Sequence, residues 1–111
     1  METEWIALTA EDGHEFDAYA VKADDPIGNI VLIQEIFGIT DHIQSVCQRF
    51  ATHGYNVIAP AIYDRFEKNI TLDYTQIQEG VDYKMRLDDD FAMLDIDAAR
   101  NQLGHNTAVV G

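Results

Sequence analysis

A lone acid, Glu35, stands directly after an apolar run and directly before a glycine-bearing loop in Gln34-Glu35-Ile36-Phe37-Gly38. In that position a carboxylate is expected to be partly desolvated, a setting that suits it to take or hold a proton. The other reading of Glu35 is structural, as a cap for the next helix or a group facing water. Backbone N–H groups of the same loop, that of Ile36 above all, can point at an oxyanion developing on a substrate carbonyl. The second chemical signal is Thr107-Ala108-Val109-Val110-Gly111, which reads as a buried strand running into a glycine. In a parallel α/β enzyme such a strand ends in a sharp strand-to-helix turn that carries the nucleophile, and Gly111 takes the place of the first glycine of its G-x-S-x-G pattern. The nucleophile is then expected beyond Gly111.

The remaining candidates carry less. Cys47 is the only cysteine, and it falls on the apolar face of a predicted helix, where a thiol is inert packing. His14, His42, His53 and His105 share no spacing that suggests a metal, and His53 near a helix C-terminus suits a dipole contact. Tyr63 and Arg65 follow a strand that stops at Pro60, so both are expected on the ligand side of the sheet, in a functional or a surface role. Trp5 and Phe16 read as core or hairpin packing.

Something must hold Glu35 and Gly111 near each other, and the hydrophobic pattern supplies it. Residues 4–9 and 14–21 each alternate in character around Ala10-Glu11-Asp12-Gly13, which predicts an antiparallel hairpin. Asn29 to Ile33 is a continuous β-branched and leucine run, the signature of a strand buried on both faces. Ile43, Val46, Cys47, Phe50 and Ala51 recur at helical spacing, with Thr40 or Asp41 to cap the start and Gly54 to end it. Tyr55 to Ala59 is the next strand, completing a βαβ unit. Residues 61–69 read as loop, and one or two helices fill 73–103 before the last strand. Ligands of open α/β sheets bind beyond the carboxyl ends of the strands, where successive crossovers leave in opposite directions. If strands 55–59 and 107–110 flank strand 29–33 on opposite sides, that point lies between residues 34–39 and whatever follows Gly111.

Composition narrows the function classes. With 111 residues, 47% hydrophobic and 24% charged, the chain has the makeup of one small globular domain and not of a disordered segment. A formal charge of -13 repels a phosphate backbone, so nucleic acid is not an expected partner. The acidic runs Asp24-Asp25 and Asp88-Asp89-Asp90 read as solvated surface and match no calcium loop. A single cysteine excludes a disulfide framework. No signal-peptide pattern or membrane-length apolar run is present, so a cytoplasmic location and no membrane partner are expected.

Several stretches together resemble the dienelactone hydrolase family of α/β hydrolases: Glu11-Asp12-Gly13-His14, Val31-Leu32-Ile33-Gln34-Glu35-Ile36-Phe37-Gly38, and His53-Gly54-Tyr55 with Ala59-Pro60 and Tyr63. The strand leading into Q-E-I-F-G is the most specific of these. The resemblance implies a truncated α/β-hydrolase sheet, in which residues 1–111 are the N-terminal part of one domain ending before the nucleophile elbow. It also implies a cysteine nucleophile in a G-x-C-x-G-G elbow, two positions after Gly111, with the histidine and aspartate of the triad further along. Glu35 then resembles the glutamate that pairs with the resting thiol and helps activate it. Ile36 resembles the backbone oxyanion donor. The implied substrate is a small ester or lactone attacked by a thiolate, without a cofactor, and the isolated chain is expected to be inactive. One departure concerns specificity: aligned on Tyr83-Lys84, the place of the arginine that holds the substrate carboxylate is taken by Glu79. Another small ester or lactone fits as well as a dienelactone.

The competing class is a non-catalytic, acidic, doubly wound signalling or binding domain. Such a domain begins with a central parallel strand, whereas this chain begins with a hairpin. A receiver also needs an acid pair after its first parallel strand, where Glu35 stands alone. Finally, strand 107–110 is expected to present an exposed edge in the isolated chain, which invites self-association.

Overall fold

A computed structural model describes residues 1–111. The expected hairpin is β1, Glu2–Thr9, and β2, Glu15–Lys22, paired antiparallel. β3 (Gly28–Leu32), helix α1 (Asp41–Thr52) and β4 (Tyr55–Pro60) form the βαβ unit; α2 (Ile77–Arg86), α3 (Asp89–Leu103) and β5 (Thr107–Val110) complete the chain. The sheet order is β1-β2-β4-β3-β5, with β4 and β5 both parallel to β3 and β2 antiparallel to β4. β3 is thus central to the parallel part, flanked as the sequence predicts.

That order explains the layering. The crossover from β3 to β4 runs one way along the sheet and the crossover from β4 to β5 runs back past β3, so two crossovers of one hand must place their helices on opposite faces. Strand alternation divides the core accordingly. Tyr19, Val21, Ile30, Leu32, Val57 and Ala59 pack under Ile43, Cys47 and Ala51 of α1. Ala18, Ala20, Val31 and Ile58 face the other way, toward Ala99 of α3. The apolar runs of β3 and β4 are continuous because both their faces are covered.

Local signals end α1 where expected and also start α3. Thr40 Oγ1 accepts from Ile43 N–H at 3.2 Å, capping α1, and Gly54 takes φ +96 after its last turn. Asp88 caps α3 by accepting from the N–H groups of Asp90 and Phe91 at 2.9 and 3.2 Å.

Two expectations need correction. The stretch 61–69 contains a 3₁₀ turn, Ile62–Arg65, whose Ile62, Tyr63 and Asp64 are buried. Asp64 accepts from the distant Asp17 N–H at 2.8 Å and from Asn69 N–H at 3.2 Å, a long-range anchor that no local period announces. β5 reads as a buried strand but shows the exposed edge expected of the isolated chain: Val109 is 46% exposed, because β5 is the last strand of the sheet and little packs over it.

The solvated-surface reading of the acids holds for most of them but fails for Asp64 and for Asp95, which is fully buried on α3. Arg65 explains the latter. Its Nε and one terminal nitrogen donate to the two Asp95 oxygens at 3.1 and 2.8 Å, while its terminal nitrogens also reach Asp12 in the hairpin turn at 2.8 and 3.2 Å. A single guanidinium therefore ties the β1–β2 turn, the 3₁₀ turn and α3 together.

Candidate active site

The carboxyl end of β3 opens into a cavity of about 510 Å³ whose lining includes Gln34, Glu35, Ile36, Tyr63, Lys84 and Asp89. Gly111 lies beside it: a Cβ placed on Gly111 would stand 3.4 Å from the Ile33 side chain, and Ile33 N–H donates to Val110 C=O at 2.8 Å. The two segments singled out in the sequence therefore meet at one end of the sheet.

The loop after β3 is a tight turn held from several sides. Gly38 adopts φ +88 and its N–H donates back to Glu35 C=O at 3.1 Å. Phe37 C=O accepts from Leu72 N–H at 2.9 Å, and the Phe37 ring meets Tyr74 edge-on at 4.8 Å between centroids. Ile36 C=O lies 3.0 Å from the Tyr63 hydroxyl, which also approaches Gly80 C=O at 3.3 Å. Burial pushes the Tyr63 phenol up, with Tyr83 adding to the effect, so the hydroxyl remains a donor at neutral pH. Every carbonyl from Glu35 to Phe37 thus has a donor, whereas the Ile36 N–H has no acceptor in the chain. A backbone donor oriented by its neighbours and left unpaired beside a cavity can bind an incoming oxyanion.

Gly80 belongs to this arrangement, as only a hydrogen fits where α2 crosses the loop. A Cβ there would lie 2.9 Å from Ile36 C=O and 3.1 Å from the Ile36 side chain. Gly80→Ala gains about 1 kcal/mol of helix propensity at an ordinary helical position. Here it is expected to lower the denaturation midpoint and to alter the Ile36 amide resonance. A rise in the midpoint would show that α2 can move away freely.

The candidates named from sequence divide clearly. Glu35 lines the cavity, but its side chain is exposed. The expected partial desolvation is therefore absent in this chain, because the turn lifts the residue beyond the sheet end and nothing in residues 1–111 covers it. Tyr63 is buried under the loop as a support, and Arg65 turns away into its pairing with Asp12 and Asp95. Neither is a free surface group, and Arg65 does not line the cavity.

Cys47 is fully buried on α1, and burial pushes its thiol up to about 12, so it is the inert thiol expected. His42, His53 and His105 are exposed and scattered, and His14 stacks on Phe16 with its Nε2 buried and unpaired. No group of three or more His, Cys, Asp or Glu side chains is arranged to hold a metal ion. Phe16 is core, whereas Trp5 is 51% exposed and packs edge-on against Tyr19.

Sequence reasoning missed two contributors. Glu79 is exposed and does not line the cavity, while Lys84, five residues on, supplies its only cationic side chain. The Gln34 side chain bridges two elements, accepting from Ile62 N–H at 3.0 Å and donating to Glu35 C=O at 3.2 Å. Its place in Q-E-I-F-G was the available signal, but its partner lies 28 residues away.

A hairpin followed by doubly wound parallel strands, with a glycine-bearing loop after β3, is the architecture of the α/β-hydrolase fold. Within that class the chain belongs to the dienelactone hydrolase family, whose sequence profile matches residues 16–111. A Yersinia pestis protein named "Putative carboxymethylenebutenolidase" is 42% identical over 72 residues, covering 62% of this chain and 26% of that protein. An Escherichia coli K12 protein of the same name is 40% identical over 50 residues, covering 45% of this chain and 18% of the relative.

The crystal structure of a "Putative Dienelactone Hydrolase" from Klebsiella pneumoniae superposes with a TM-score of 0.68 at 31% identity, covering 96% of this chain and 49% of the other. A dienelactone hydrolase-like promiscuous phosphotriesterase from metagenomic libraries shares the fold, with a TM-score of 0.66 at 17% identity over 98% of this chain and 48% of that one. The chain spans about half the length of these solved structures. No helix is long and apolar enough to cross a membrane.

Proposed function

We propose that residues 1–111 supply the oxyanion-binding and acid-bearing half of a thiol-dependent ester or lactone hydrolase site. The unpaired Ile36 N–H beside Glu35, at the carboxyl end of β3 and next to Gly111, carries this reading. Cys47 is buried, absent from the cavity lining and held protonated, so it is not the nucleophile; the family resemblance gives that role to a cysteine two positions after Gly111. Glu35 holds that thiol at rest and helps to activate it. Thiolate attack on the carbonyl carbon moves charge onto the carbonyl oxygen, which the Ile36 N–H receives; collapse of the adduct expels the alcohol and leaves a thioester for water to cleave.

Joining residues 1–111 at Gly111 to the remaining half of the Klebsiella protein tests this. The chimera is expected to hydrolyse p-nitrophenyl acetate in a manner blocked by thiol alkylation and reduced by Glu35→Ala. The isolated chain is expected to show no turnover above buffer. A folded chimera indifferent to Glu35→Ala, or saturable hydrolysis by the isolated chain, would overturn the assignment.

The exposed edge of β5 motivates a second expectation for the isolated chain. Its half-exposed Val109 and outer backbone groups form a template for another strand, so sedimentation is expected to show concentration-dependent self-association. A monomer at millimolar concentration would contradict this.

A further inference from the structure

We infer that Gln34 is the positioning residue for the Ile36 N–H, acting through the carbonyl of the same peptide unit; this rests on the oxyanion-donor reading above. The peptide that bears the Ile36 N–H is the one between Glu35 and Ile36, and its planarity makes the N–H direction follow the C=O direction. The Glu35 carbonyl has two donors, Gly38 N–H at 3.1 Å and Gln34 Nε2 at 3.2 Å. Gly38 N–H closes the turn from within, and Tyr63 and Leu72 hold the turn only at the later carbonyls of Ile36 and Phe37. Gln34 connects that peptide to a fixed point outside the turn.

The fixed point is the Ile62 N–H, which donates to Gln34 Oε1 at 3.0 Å. A backbone N–H can only donate, so this bond forces the oxygen of the Gln34 amide toward Ile62 and its nitrogen toward Glu35. Ile62 itself is buried and opens the 3₁₀ turn that follows β4. The side chain thus relays the position of this turn to the peptide that bears the Ile36 N–H, beside the cavity. Only an amide fits both ends, since one end needs an acceptor and the other a donor.

Gln34→Glu separates the two functions. A carboxylate still accepts from Ile62 N–H but cannot donate to Glu35 C=O, and protonation restores a donor. In ¹⁵N-labelled chain, the Ile36 amide resonance is expected to shift in Gln34→Glu while Ile62 stays in place, and the Ile36 shift is expected to reverse as the introduced carboxyl is protonated. Glu35, Asp89 and Lys84 share the cavity, so the same titration of the unsubstituted chain subtracts their contribution. Gln34→Met, which loses both bonds, is expected to shift Ile36 and Ile62 together.

A role confined to bracing β4 would move Ile62 and leave Ile36 unchanged in Gln34→Met. That outcome, or an unmoved Ile36 in Gln34→Glu, would overturn the inference. Because the readout is the amide itself, it stands whether or not the chimera hydrolyses esters, and an inactive chimera with the expected shifts would sink only the functional reading.

Discussion

Arg65→Leu is expected to destabilise the fold by about 3–5 kcal/mol, the usual cost of removing one partner from a buried ion pair. That is a large share of the roughly 5–15 kcal/mol that holds a small domain together. The Asp95 side chain is wholly inaccessible, and both its hydrogen bonds come from Arg65. Removing the guanidinium leaves a carboxylate with neither water nor a donor. A urea unfolding series would register this as a fall in midpoint at nearly constant slope. The paired replacement Arg65→Met with Asp95→Leu is expected to recover most of the loss, as it removes the charge that the single variant strands. A change below about 0.5 kcal/mol in Arg65→Leu, the range of ordinary surface substitutions, would show that Asp95 finds another partner.

The pH dependence of that loss has a definite sign. Burial pushes the Asp95 carboxyl above its ordinary value, against the opposing pull of Arg65. A carboxyl raised on folding favours the folded state below its unfolded value and loses that contribution as pH rises through the folded value. Removing Arg65 removes the downward pull, so the gap between Arg65→Leu and the unsubstituted chain is expected to narrow as pH falls from neutrality. Asp12 behaves oppositely: hydrogen bonding to Arg65 holds it below the usual carboxylate range, so its contribution is lost on acidification through the folded value.

Gly38→Ala is expected to cost about 2–4 kcal/mol of stability through strained backbone and forced overlap. In the chimera it is expected to lower turnover by about a hundredfold, the scale of losing one oxyanion donor. The residue holds φ +88, and a Cβ would overlap the carbonyl oxygen of Ile70, a backbone atom that cannot swing aside. Gly38 also donates to Glu35 C=O, so moving it turns the peptide that carries the Ile36 N–H.

Gly13 is the internal control. It has nearly the same φ, +89, with nothing within 4 Å of a Cβ, so Gly13→Ala carries the backbone strain without the overlap. Thermal unfolding of the two variants side by side isolates the contact. Equal losses in both would show that the Ile70 segment yields at no cost, and Gly38 would then be needed for its φ alone.

Much of the fold is legible in these residues because it is written in local periods. The continuous apolar runs at 29–33 and 55–59 announce strands covered on both faces, and the i, i+3, i+4 recurrence from Ile43 to Ala51 announces α1. The 3₁₀ turn at Ile62–Arg65 escaped because its burial depends on Asp64 reaching back to Asp17, a pairing across 47 residues. The exposed edge of β5 was expected from the resemblance and not from the strand's own residues. An apolar strand looks the same whether its neighbour is present or absent.

The candidate site divides along the same line. Glu35 and Ile36 were legible because the end of a buried strand followed by a glycine-bearing loop is a one-dimensional pattern, and Gly111 because a strand meeting a glycine is another. What the tertiary structure alone decided is which partner each group has: Gln34 with Ile62, Tyr63 and Gly80 with Ile36, Arg65 with Asp95, and Lys84 rather than residue 79 in the cavity. Periodicity records how each residue meets its own element, one body at a time. Partners are pairwise, and they exist only after the order β1-β2-β4-β3-β5 has brought distant elements together.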